Sequence, residues 1–298
     1  MAKQVDSLTK VEGPDRVHYK TGVLLNADDF VAEQNYHRGR LARALAYVNG
    51  SGTLAGLKVV HEPEAAATAE TPLKPERILI EPGIAIDRLG RLIEVPDMLC
   101  VRLNHWYEQQ DDAELRQSWN AADALWPGAV SGVAVDVFIR FAACERGKTP
   151  VFSCGPFDAI DAVTAARLRD GYETELLLRK EAAPGEPVNP WPDLSAVAES
   201  ERPEQLRQAI FSAWNRQGST IDDSLQGLDP LSEHAAGQDT TSLMLARMII
   251  PADEAGPGSR PLRRLADDLQ IRNDLRPFVI TTNALARLLG ININQSAD

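Results

Sequence analysis

The sequence predicts an α+β chain: a long N-terminal helix packed on a mainly antiparallel β unit, with additional helices and a C-terminal strand-helix segment. Three observations predict it. Apolar residues recur every three or four positions from Phe30 to Val48, which is helical spacing. Short alternating apolar runs follow between Leu54 and Leu103 and again from Val133, which is strand spacing. No regular strand-then-helix alternation links them, so a parallel, doubly wound sheet is not expected.

The first 20 residues are polar, and residues 1–18 read as an arm with few core residues. Asn26 is placed to cap a helix over 27–48, and Asp28 and Asp29 sit where the helix dipole favours acids. Phe30, Gln34, His37, Leu41, Leu45 and Val48 make one face of it. Arg38, Arg40 and Arg43 lie mostly off that face and are candidate partner contacts, since arginine is favoured at interfaces. The alternative for these arginines is a solvated face.

"YVNGSGTLAGLKVV" comes next. Gly50, Gly52 and Gly56 follow the helix, where a cap and turn need left-handed backbone. A phosphate cradle needs its glycines before a helix, and no Gly-Lys-Ser/Thr follows. Structural turns are therefore expected at Gly50, Gly52 and Gly56, and also at Gly83 and Gly90 in the strand region. "RILIEPGIAIDRLGRLIEVPDMLCVRL" reads as short strands, with Gly90 at the permissive site of a hairpin. The β unit is expected from 54–103 and 132–181. Phe30, Leu41, Leu45, Ile84, Ile86, Val135 and Val137 are expected to be buried in it.

The segment "HWYEQQDDAELRQSWNAADALW" reads as a helix, and "GVAVDVFIRFAAC" as the best strand. Residues 144–171 read as a loop, and "YETELLLRK" as another strand. Proline-rich 182–203 reads as a connector. "PEQLRQAIFSAWNRQ" is an amphipathic helix with Leu206, Ile210 and Trp214 on one face. A strand at "TTSLMLARMIIP", a strand pair in "LQIRNDLRPFVIT" and a helix capped by Thr282 or Asn283 complete the chain. The expected organisation is thus arm 1–18, helix plus β core 19–181, connector 182–203, and an α+β segment 204–298 packed on the core.

Composition bounds the function. The chain of 298 residues has 31 basic and 43 acidic side chains, a net charge of −12. That field disfavours nucleic acid and anionic membrane, and no apolar run reaches a membrane span. The N-terminus has no signal-peptide core, and three cysteines suggest reduced thiols and cytoplasmic synthesis. No zinc-ligand pairing, Gly-x-Ser-x-Gly elbow or calcium-loop spacing stands out. Catalytic, cofactor-binding and metal residues are accordingly expected to be none.

Two blocks carry a resemblance. Tyr19, Gly22, Leu24, Leu25, Asp29, Phe30, Glu33, Gln34, Tyr36, Asn49, Gly50, Gly56, Leu57 and Val59 make the first. It is similar to the opening of proteins encoded beside phage tails and contractile injection systems. "EPGIAIDRLGRLIEVP" resembles the Pro-Gly-x-Ala-x-Asp-x-x-Gly-Arg-x-Ile-x-Val-Pro module of tail-fibre and baseplate-associated proteins. "TAARLRDGYETELLL" and the closing strands and helix fit the same family more loosely. The chain departs from the family at Thr53-Leu54-Ala55. The resemblance implies a structural or adaptor subunit in the baseplate, fibre or cap region. Its partners would be baseplate, sheath, tube or cap proteins, in multiple copies. Assembly is expected in the cytoplasm, with release alongside the particle left open. The alternative is a receptor- or glycan-binding fibre protein using Trp106, Trp126, Trp191 or Trp214, with Trp191 in "NPWPD" the most exposed candidate.

Overall fold

The computed structural model describes residues 3–4, 6, 8, 15–67, 73–150, 163–181, 185–216, 228–254, 256 and 258–290. Among them the chain is mixed helix and sheet, with five helices and antiparallel sheets.

Helix α1 spans Ala27–Val48, as the spacing predicts. Asn26 caps it: its side-chain oxygen accepts from the Asp28 and Asp29 backbone N–H groups, and Asp29 accepts in return from the Asn26 N–H at 2.8 Å. This reciprocal pair satisfies N–H groups that the first turn otherwise leaves open.

Two small sheets follow. Strands β2 (Gly52–Gly56), β5 (Gly83–Ile86) and β6 (Leu92–Val95) form one; β3 (Val59–Glu62), β4 (Arg77–Ile80) and β7 (Leu99–Arg102) form the other. The run "TLAGLKVV", which reads by itself as one strand, is therefore split between two sheets. Gly56 at φ 64 and Leu57 at φ 56 break it, because two successive left-handed residues cannot continue a pleated strand.

The third sheet is built on β8 (Gly132–Pro150), β9 (Val163–Leu178) and β10 (Leu243–Asp253). β9 runs along one edge of β8, from Val135↔Leu178 to Pro150↔Val163. β10 takes the other edge, from Leu243↔Ile139 to Pro251↔Gly132. Beyond it on that edge lies β1 (Lys3–Gln4), opposite Ala143 and Cys144. β11 (Leu262–Arg263) and β12 (Gln270–Arg272) pair with the far side of β10.

One face of this sheet packs against both small sheets. Val133, Val135, Val137, Met248 and Ile250 share a core with Leu57, Val59, Ile78, Ile80, Ile93 and Val95. The other face is covered by α3 (Asp112–Leu125), whose Ala121, Ala122 and Leu125 pack on Ala134 and Ile249. Burial on both faces explains why β8 and β10 read as nearly continuous apolar runs.

Several expectations are corrected here. The helix expected through "HWYEQQDDAELRQSWNAADALW" is two: α2 (Leu103–Glu108) and α3, because Asp111 stops one and caps the other. Its carboxylate accepts from the Ala113 and Glu114 N–H groups. Residues 144–171 are not a loop where they are described: Cys144–Pro150 and Val163–Gly171 continue the β8–β9 ladder. The remainder of that expected loop, with Cys154, lies outside the described residues. The last helix, α5 (Thr282–Leu288), is capped by Thr281, not by Thr282 or Asn283.

The arm and the C-terminal segment are also woven in. Asp6 is buried and bonded to Arg91 and Arg38. β10, from the segment expected to pack on the core, is a central strand of the main sheet. α4 (Arg202–Arg216) forms as expected, with Leu206 and Ile210 exposed; the Trp214 side chain lies outside the described residues.

Candidate interaction surface

α1 reverses its expected orientation. The face read as its core stripe points outward: Phe30 is 55%, Leu41 58% and Val48 81% exposed, and Gln34 and His37 are exposed with them. Leu45 is half-buried. The buried residues are Ala42 and Ala46. Small side chains let the helix backbone come close, and the contact shows why they are needed. A side chain at Gly90 would collide with the carbonyl of Ala42, and Gly90 itself is at φ 84. The hairpin turn between β5 and β6 thus meets the helix backbone directly. Of the remaining residues expected to be buried, Ile86, Val135 and Val137 are, while Ile84 is half-buried.

The predicted turn residues divide by role. Gly50 (φ 74) and Gly52 (φ 146) turn the chain out of α1. A side chain at Gly52 would strike the Pro277 carbonyl, where Thr53 exchanges backbone hydrogen bonds with Pro277 and Val279. Gly56 and Gly83 face each other across the β2–β5 pair, and neither has room for a Cβ. The chain passes from Gly50 and Gly52 straight into β2, not into a helix.

The three arginines do not form one patch. Arg38 turns to the body, 3.0 Å from Asp6 and 3.9 Å from Asp170 on β9. Arg40 lies over the Tyr36 ring, 5.5 Å from its centre, on the exposed side. Arg43 acts on Tyr47, whose hydroxyl is pushed up by partial burial and pulled back by the Arg43 charge. Trp191 is 44% exposed in its proline-rich segment. Trp106 and Trp126 are packed against the core clusters, with the Arg272 guanidinium 5.4 Å over Trp126.

A second exposed element is the far end of the β8–β9 ribbon. Arg146–Pro150 and Val163–Asp170 are exposed apart from half-buried Ala165, and no third strand pairs with them among the described residues. An unsupported two-stranded ribbon is marginal alone.

Sequence reasoning missed the buried charges. In the main sheet Arg247 stands opposite Asp136, with Nε and Nη2 at 2.8 and 2.9 Å from the two carboxylate oxygens. Burial raises the Asp136 carboxyl, while the Arg247 hydrogen bonds oppose that; burial would lower the Arg247 guanidinium, but those bonds and the acids around it hold it above its ordinary value. This two-point geometry opposes the effect of burial. The signal was a lone charge in each of two apolar strands, "VAVDVFI" and "LMLARMII". At a second cluster, Glu76 accepts from both Nη groups of Arg263, at 2.7 and 2.8 Å, and lies 3.0 Å from His61 Nε2. Burial alone would raise the Glu76 carboxyl, but the His61 and Arg263 hydrogen bonds pull it down to about 2. At a third, Arg91 Nε lies 2.6 Å from Asp87, and Asp6 joins at 3.3 Å.

A cleft of about 330 Å³ lies beside β8, lined by Arg140, Glu173, Glu175, Gln238 and Asp239 among others. Arg140 binds Glu173 at 2.6 Å and Asp239 at 2.9 Å, so the one arginine of the cleft is held by two of its three acids. Among the described residues no group of three His, Cys, Asp or Glu side chains has the arrangement of a metal site. Among the same residues no helix is long and apolar enough to cross a membrane. Cys100 and Cys144 are free thiols. The molecule thus presents exposed apolar and ribbon surfaces around an internally paired polar core. Compared with known protein families and with curated proteins, the chain matches none.

Proposed function

We propose that this chain is a structural or adaptor subunit of a contractile, phage-tail-like particle, seated in its baseplate, fibre or cap region and present in several copies. The resemblance in Tyr19–Val59 and Glu81–Pro96 supports that setting. The observation that carries the subunit role is the outward apolar face of α1, with Phe30, Leu41 and Val48 in solvent. A helix that seats its small residues and exposes its large ones is arranged to join a neighbour. In this reading α1 bridges the β unit to adjoining subunits, and the work of the chain is geometric, not catalytic. Its partners are baseplate, sheath, tube or cap proteins, met during assembly in the cytoplasm.

The test is a tagged chain expressed in its native cells, with sedimentable particles purified and blotted. Co-purification with sheath and tube proteins is the expected result. A chain absent from every particle overturns the proposal. The exposed Trp191 favours a second reading, a glycan-binding fibre protein. Glycan-array binding that Trp191→Ala abolishes would establish that reading instead.

A further inference from the structure

The outward stripe of α1 has a regular period. Phe30, Gln34, His37, Leu41, Ala44 and Val48 are spaced by alternating steps of four and three residues, and all six are exposed. That is the heptad spacing of a helix-on-helix seam. The opposite side of α1, with Ala42 and Ala46, is the side held against the body. The seam therefore points away from the body, where a second helix can lie along it without disturbing the first contact.

Flanking charges identify which helix fits. Glu33 and Arg40 are seven residues apart and so border the same flank of the seam. When a second α1 lies antiparallel across the first, Phe30 meets Leu41 of the second copy and Gln34 meets its His37. Glu33 then meets Arg40, and twofold symmetry makes each contact twice. A parallel alignment would instead direct Glu33 to Arg38, whose guanidinium is held by Asp6 on the body at 3.0 Å. Arg40 rests on Tyr36 of its own helix with no acidic partner among the described residues, while Glu33 lies 2.9 Å from His37 Nε2 one turn along and would turn from it to meet Arg40. In the antiparallel register Val48 reaches the start of the second helix, where Val23 and Leu24 are exposed as well. The seam is thus complementary to itself in spacing and in charge.

We infer that α1 pairs antiparallel with α1 of a second copy of this chain, through Phe30, Gln34, His37 and Leu41, with Glu33–Arg40 pairs at its edges. The pairing names a partner for the subunit role above and rests on that role only for its setting in a particle. The purified full-length chain tests it with no particle present, so failure here and failure of the particle reading are separate results.

Sedimentation equilibrium over a concentration series should show a reversible dimer. Leu41→Glu should weaken association at least about tenfold, with helix content and melting of the dilute protein unchanged, because Leu41 is exposed. Glu33→Arg or Arg40→Glu alone should weaken it by about three- to tenfold. The double variant Glu33→Arg with Arg40→Glu should return to within about twofold of the original. A chain that stays monomeric while folded overturns the inference, as does a dimer indifferent to Leu41→Glu. A double variant no stronger than the singles overturns the antiparallel alignment. Pairing only with a helix of another protein overturns self-association.

Discussion

Helices α3 and α1 differ in what their apolar stripes meet. Both begin at a side-chain cap, Asp111 in one and Asn26 in the other, and both show apolar residues at helical spacing. α3 lays Leu115, Ala121, Ala122 and Leu125 into the protein, and its Ser118 hydroxyl donates to the Ala134 carbonyl of β8 at 2.7 Å. α1 leaves Phe30, Leu41 and Val48 outside and buries two alanines. Amphipathic spacing therefore says that a stripe will be covered, not by which chain. For α3 the cover is its own sheet. For α1 the small sheet offers only the tight turn at Gly90, which accepts a backbone and no large side chain.

The sheet face under α3 is where the comparison breaks hardest. Arg247 Nη1 lies 3.4 Å from the Leu125 carbonyl at the end of α3, while its other nitrogens hold Asp136. Arg247→Met should strip Asp136 of both its close hydrogen bonds and leave only Arg179, 3.5 Å away, as counter-charge, at a cost of about 3 kcal/mol, the low end for a broken buried pair. Denaturant unfolding measures it, and a change below about 1 kcal/mol would mean that the pair is not desolvated.

Leu115→Ala in α3 should destabilise by about 2–5 kcal/mol, since a fully buried side chain leaves a cavity. Leu41→Ala in α1 should change the stability of the dilute chain by no more than about 0.5 kcal/mol. Equal losses at the two sites would place Leu41 in the core after all.

pH separates the regions too. Glu76 sits at about 2 in the folded chain, below its ordinary value of 4.5. Its contribution is then fully present above about pH 4.5 and is lost as pH falls toward 2, on the order of 3 kcal/mol in total. Stability measured across that window should fall less in Glu76→Gln than in the wild type. Identical slopes would remove Glu76 as the cause. The smallest effect is expected at the start of α1. Asn26→Ala removes two cap hydrogen bonds and should cost about 1 kcal/mol, read as a lower melting temperature with reduced helix content.

Much of the fold was legible in the sequence because it is locally coded. Asn26 with two following acids marked the start of α1, and the glycines after Val48 marked its exit. Alternation in "GVAVDVFI" marked the strand that became the centre of the main sheet. The far half of the β8–β9 ribbon was not legible, because Glu145–Pro150 and Arg167–Gly171 are polar and exposed on most positions and pair only by continuing a ladder begun elsewhere. The candidate surface was half legible. The stripe on α1 could be listed residue by residue, but its direction could not.

What the sequence by itself determined is the set of elements, their caps and turns, and the residues of each stripe. These depend on spacings of a few residues and on backbone angles that only some side chains allow. Only the tertiary structure decided which stripe is covered, that Asp6 from the chain start reaches Arg91, and that Asp136 meets Arg247. Asp136 and Arg247 lie 111 positions apart. Contacts at that separation follow from how sheets stack and strands register, a property of the whole packed core that no local pattern carries.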